Sequence, residues 1–98
     1  MITEHTVCAL PEDNVNYRHY AITVAYRGDG LWAVCQMSYC LDADGNWSFE
    51  PSPSSREESW FAAHRFDEAT ALAMAEQQAP LMTCNGITVA QALERGQS

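Results

Sequence analysis

The sequence predicts a single α+β domain over residues 1–98: an antiparallel sheet of four to five strands with two or three helices packed on one face. Three observations lead there. The first half, to about Glu50, is β-rich and is broken by the turn-forming runs Gly28-Asp29-Gly30 and Asp44-Gly45-Asn46. The second half, from about Ser55, is helix-rich, with alanines behind helix-starting residues. Between them, Pro51-Ser52-Pro53-Ser54-Ser55 is short and neither side could bury a full core alone, so it reads as a loop inside one domain.

Taken in order, Thr3 to Leu10 reads as a strand at a sheet edge, ended by Pro11 and turned by Glu12-Asp13-Asn14. Tyr17 to Leu41 reads as a hairpin, because Asp-Gly is the preferred pair for a two-residue type I′ loop. With Asp29-Gly30 as that loop and no irregularity, Tyr26 faces Ala33, Val24 faces Cys35, Ile22 faces Met37 and Tyr20 faces Tyr39. This set forms a core face. The outer face then pairs Arg27 with Trp32, Ala25 with Val34, Thr23 with Gln36, Ala21 with Ser38 and His19 with Cys40. A further strand holds Trp47 and Phe49. An odd-numbered loop, such as Asp44-Gly45-Asn46, keeps them on the face of Tyr39 and Leu41.

Ser55-Arg56-Glu57-Glu58 is a capping box that starts a short helix over about 56–63, with a strand through Trp60–Phe66 as the competitor. Asp67 is an N-cap for the main helix, Ala69 to Ala79, whose inward stripe is Leu72, Ala75 and Gln78–Ala79; Pro80 closes it. Leu81 to Cys84 reads as a short strand and Asn85-Gly86 as a tight turn. Thr88-Val89-Ala90-Gln91 is a second capping box, opening a terminal helix to about Glu94.

Charge and cysteine usage bound the function. The chain has 13 acidic and 5 basic residues, a formal charge of −8. All five cations are arginines, scattered singly, which cannot displace phosphate counterions as a nucleic-acid surface must. Direct nucleic-acid binding and anionic membranes are therefore excluded as expectations. No apolar run reaches the ~20 residues of a membrane span. The first residues lack the pattern of a signal peptide, so the expected setting is the cytoplasm, with Cys8, Cys35, Cys40 and Cys84 as thiols. Paired zinc-ligand spacings are missing, so no metal or other cofactor is expected.

Several short patterns reduce to local structure. Arg27-Gly28-Asp29 is explained by turn chemistry, and Asn46-Trp47-Ser48 has the glycosylation sequence without the secretory context. Asp42, Asp44 and Asn46 resemble a calcium loop, but its glycine and bidentate acid fall out of place. No complete catalytic set is present. The strongest catalytic candidates are His19 and Cys40, which the assumed register places opposite each other; a thiol beside an imidazole can become a nucleophile or a metal ligand. His64 reads as a helix C-terminal residue, and His5 has no visible partner.

The expected function is therefore a small acidic, non-enzymatic module that binds a protein partner or itself, with a thiol- or metal-dependent enzyme centred on His19 and Cys40 as the alternative. Seven acids between Asp42 and Glu68, including Asp42, Asp44, Glu57 and Glu58, form one candidate contact surface. Arg27 and Trp32 form the other, unless a neighbouring segment covers them.

The run His64-Arg65-Phe66-Asp67-Glu68-Ala69-Thr70-Ala71-Leu72, with Ala79-Pro80, Cys84-Asn85-Gly86-Ile87-Thr88 and Gly30-Leu31-Trp32-Ala33-Val34, resembles small proteins of actinobacteria and their phages that have no assigned activity. The resemblance lies mainly in residues 28–98. It implies a cytoplasmic setting and a mobile-element origin, and it brings no activity, cofactor or binding residue.

Overall fold

A computed structural model describes residues 2–49 and 58–96. Strands β1 (Glu4–Val7), β2 (Ile22–Gly28), β3 (Leu31–Gln36), β4 (Tyr39–Leu41) and β5 (Trp47–Phe49) form one antiparallel sheet in the order β1-β2-β3-β4-β5. Helix α1 (Tyr17–Tyr20) precedes β2, and α2 (Glu58–His64) and α3 (Glu68–Gln78) follow the sheet. A 3-10 turn (Ala79–Leu81), the small hairpin β6 (Thr83–Cys84) and β7 (Ile87–Thr88), and α4 (Val89–Gly96) complete the chain. The fold is α+β, with β1 at a sheet edge.

The first hairpin departs from the assumed register. Asp29 and Gly30 form the loop, with φ of 54° and 74°, and Gly28 pairs with Leu31. Arg27 is then an extra residue on β2. Beyond it Tyr26 pairs with Trp32, Ala25 with Ala33, Val24 with Val34 and Thr23 with Cys35. Gly28, at φ 98°, supplies the left-handed backbone this bulge uses. The one-residue slip exchanges the two faces of β3 relative to β2. In the unbulged register Trp32 would lie on the outer face. In the observed one it is buried at 5% exposure beside Ile22, Val24, Val34 and Leu41. Burying roughly 200 Å² of indole at ~25 cal/mol per Å² is worth up to about 5 kcal/mol. The ladder hydrogen bond disturbed by a bulge is worth about 1 kcal/mol. Burial of the tryptophan decides the register.

The strand continues only to Ile22. His19 and Tyr20 belong to α1, and Met37 stands at the β3–β4 turn, 70% exposed with φ 56°. Met37 therefore does not face Ile22, and Tyr39 pairs with Gln36 and Phe49. The β4–β5 loop is five residues, Asp42 to Asn46. That number is odd, so Leu41 faces Trp47 and Tyr39 faces Phe49 on a common side. Asp42 organises this loop: one carboxylate oxygen accepts hydrogen bonds from the backbone N–H of Asp44 and Asn46, both at 2.9 Å.

The helices divide between the two faces of the sheet. Ala71, Ala75 and Ala79, one turn apart, bring α3 against Ile22, Val24, Val34 and Leu41. Of the expected stripe, Ala75 and Ala79 are buried, while Leu72 and Gln78 are half-buried. On the opposite face, Trp60 of α2 packs on Ala33, Cys35 and Cys40. The chain passes between faces at Phe66, which exchanges two backbone hydrogen bonds with Trp32 (2.6 and 2.9 Å). So α2 covers the face left over by α3, where one-sided packing was expected. The expected capping box at Ser55, the joint at Pro51–Ser55 and the acids Glu50 and Glu57 lie outside the described residues.

The remaining local signals hold. The Asp67 carboxylate accepts from the Thr70 N–H at 2.7 Å. Asn85-Gly86 turn at φ 52° and 79°. Thr88 and Gln91 cap each other reciprocally, at 2.9 and 3.2 Å. Leu10, Tyr20, Val89 and Ala92 form a second cluster that ties α4 to the chain before β2, and the Tyr20 hydroxyl donates to the Ile87 carbonyl at 2.8 Å.

Three outcomes follow. Val24 is fully buried, so Val24→Asp is expected to unfold the domain, since an unpaired buried charge exceeds a margin of about 5–15 kcal/mol when packing is lost with it. Asp44→Asn, at an exposed site, should change urea stability by no more than about 0.5 kcal/mol; equal losses would show the burial pattern to be wrong. The Thr70 N–H holds the Asp67 carboxyl below its usual pKa, aided by the Thr70 side chain. The stabilisation is therefore present above the unfolded-state value of about 4 and is lost as pH falls through the lower folded value. Asp67→Ala should lower the urea midpoint at neutral pH, with the difference from wild type closing in acid. A difference independent of pH would contradict the carboxylate's role.

Candidate functional site

The residues singled out from the sequence do not converge on one site. Trp32 is held in the core by Tyr26 (ring centroids 5.4 Å apart), His5 (5.4 Å) and the Phe66 bridge, so the expected Arg27–Trp32 surface patch does not form. His5 gains a second partner, with Nε2 2.8 Å from a Glu68 carboxylate oxygen in the first turn of α3. Arg27 is exposed on the other side of the sheet. Asp42 is committed to its own loop, whereas Asp44 and Glu58 are exposed.

His19 and Cys40 are not cross-strand partners, because the bulge and α1 remove the register that paired them. Cys40 lies opposite Cys35 on β3 and is 1% exposed. His19 instead borders a small cleft with Asn16, Tyr20, Cys84, Asn85 and Ile87. Burial pushes the Cys8 thiol pKa up, and that thiol contacts the Tyr17 carbonyl at 3.5 Å.

Beneath α2 lies a polar strip that sequence reasoning did not assemble. Cys35, Cys40 and Ser48 sit in a row across β3, β4 and β5, because Cys40 pairs with both of the others. The His64 Nδ1 is 2.8 Å from the Trp60 carbonyl, and its Nε2 is 3.2 Å from Ser48 Oγ. A carbonyl only accepts, so Nδ1 donates to it, and in the neutral ring Nε2 accepts from the Ser48 hydroxyl. The imidazole is also stacked on Trp60 (centroids 4.4 Å apart, planes at 9°) and is 7% exposed. With both nitrogens bonded and one ring face covered, His64 works as a buried clasp between α2 and β5. Arg65 closes the same corner, its guanidinium 5.0 Å from the Trp60 ring centre and 5.4 Å from that of Phe61.

The surface with the form of a binding site is on the opposite face, where α3 ends. A cleft of about 340 Å³ is lined by Gln36, Tyr39, Trp47, Gln78, Leu81, Met82 and Thr83. Leu81 is 68% exposed and Tyr39 48%, and Tyr39 stands edge-on to the 66%-exposed Phe49. An adjoining cleft shares Gln78 and extends past Met74 to Asp44. Among the described residues no carboxylate, imidazole, thiol or cation lines the first cleft, whose amides, threonine and apolar walls suit binding. One sequence signal pointed this way. Pro80 stops the helix one residue before Leu81, stranding a large apolar side chain outside the buried stripe.

Among the described residues no group of three histidine, cysteine, aspartate or glutamate side chains is placed to hold a metal, and no helix is long and apolar enough to cross a membrane.

The His64 assignment is open to measurement. Imidazole nitrogen shifts from long-range ¹H–¹⁵N spectra near neutral pH should report the Nδ1–H tautomer, and Ser48→Ala should perturb Nε2 alone; an Nε2–H tautomer would overturn the hydrogen-bond scheme. No protein-family model, curated protein or solved structure matches the chain, so its functional reading rests on this geometry.

Proposed function

We propose that the protein is a non-enzymatic interaction module whose partner protein inserts an apolar segment bearing positive charge into the cleft between Tyr39 and Leu81. The observation that carries this reading is the cleft itself: large apolar side chains, exposed together around a concavity that no acid–base or nucleophilic group lines among the described residues. The partner's charge is read from the module's own. At a formal charge of −8, with exposed Asp44 bordering the adjoining cleft, it attracts a basic segment and repels nucleic acid and anionic membranes. The alternative of an enzyme centred on His19 and Cys40 gains nothing from the structure, in which the two are not opposed.

Capture of proteins from a native lysate, quantified by mass spectrometry, tests this when wild type is compared with cleft variants. Leu81→Asp and Tyr39→Ala alter exposed side chains and should leave the circular dichroism unchanged. Each should reduce capture of the specific partner about tenfold or more. Wild-type capture should also weaken as salt is raised. Capture that both variants retain in full, or light scattering showing only self-association through another surface, would sink the proposal.

A further inference from the structure

We propose that Cys35 and Cys40 are a thiol–disulfide exchange site, oxidised to a cross-strand disulfide by an anionic low-molecular-weight disulfide that approaches beside Arg27. The site is on the α2 side of the sheet and does not depend on the cleft at Tyr39 and Leu81.

Geometry carries the inference. Cys35 and Cys40 are directly opposite in the antiparallel ladder, next to the pair Gln36–Tyr39 that closes a two-residue turn. Their Sγ atoms are 3.0 Å apart, so a bond of ~2.05 Å needs a side-chain adjustment of about 1 Å. Opposed Cα atoms in such ladders are ~4.5–5.5 Å apart, inside the range a disulfide spans. Arg27 Nη2 lies 3.9 Å from Cys35 Sγ, so a cation stands beside this thiol. Arg27 also lines a cleft of about 340 Å³ with Gly28, Asp29, Leu31, Phe61 and Arg65. Two of the five arginines of an acidic chain thus line one cleft, and Arg27 links that cleft to Cys35, which suits a ligand bearing carboxylates. Cys35, 7% exposed, is the outer thiol and Cys40, at 1%, the inner one, with Trp60 packed over both.

The exchange balances without other reagents. Cys35 loses its proton, and its thiolate attacks one sulfur of the disulfide RSSR. The S–S bond of RSSR breaks, and RS⁻ leaves and takes up a proton, giving Cys35–S–S–R. Cys40 then loses its proton and attacks Cys35 Sγ, expelling the second RS⁻, which is protonated in turn. Two protein thiols are oxidised by two electrons, and RSSR is reduced to two RSH.

Treating the folded, full-length protein with glutathione disulfide, then alkylating and digesting it, reads the outcome. The expected result is a loss of two hydrogens in a peptide linking Cys35 to Cys40, with Cys8 and Cys84 alkylated. The melting temperature should rise by roughly 5–10 °C and fall back on adding dithiothreitol. Cys40→Ser should accumulate the mixed disulfide on Cys35. The Cys8→Ser/Cys84→Ser double variant, which leaves the pair intact, should oxidise as wild type does. Arg27→Gln should slow the reaction several-fold while leaving the reduced protein's melting temperature unchanged. No Cys35–Cys40 link in either wild type or the double variant, a link confined to Cys8 and Cys84, or a lower melting temperature on oxidation would overturn the site. An Arg27→Gln rate equal to wild type would overturn the role of the arginine cleft.

Discussion

The structure depends on burying β3 from both sides. Ala33 and Val34 are fully buried although they point to opposite faces, and Trp32 and Cys35 on either side of them are nearly so. A strand in that position needs a cover on each face, and the chain supplies one before and one after Phe66. The side chains fit their covers by size. Trp32 and Val34 meet the small alanine row of α3, while Ala33 and the cysteines leave room for the large indole of Trp60 on α2.

The bulge at Arg27 makes this division possible. By adding one residue to β2 it aligns Tyr26 with Trp32 and Val24 with Val34, so the large residues of both strands face α3 together. The Tyr26 hydroxyl then accepts the Gly30 N–H at 3.1 Å, folding the turn against the same cluster. Arg27 itself is left on the α2 side, within reach of Cys35. One local irregularity thus fixes the contents of the core and the surroundings of the thiol pair.

The two candidate surfaces arise from where the covers stop. The 3-10 turn at Ala79–Leu81 ends the α3 cover before it reaches Tyr39, so the sheet's far end keeps an apolar cleft. On the other face α2 packs over the thiol pair and meets the first hairpin turn at its rim, where Arg27 and Arg65 line a second opening. The proposed binding cleft and the proposed thiol site therefore lie on opposite sides of one sheet.

The sequence by itself determined the features governed by neighbours along the chain. These are the Asp29-Gly30 and Asn85-Gly86 turns, the Asp67 cap, the Thr88–Gln91 capping box and the matched parity of β4 and β5. Each depends on backbone conformations and hydrogen bonds within a few residues, which residue type largely dictates. The α+β class followed from the same local signals. Tertiary structure decided the register of the first hairpin, the placement of α2 opposite α3, and so the separation of His19 from Cys40 and the pairing of Cys40 with Cys35. A bulge changes strand parity at a local cost of about 1 kcal/mol, so the distant and larger gain from burying Trp32 selects it. That gain exists only once α3 and Phe66, more than thirty residues along the chain, have closed over the sheet.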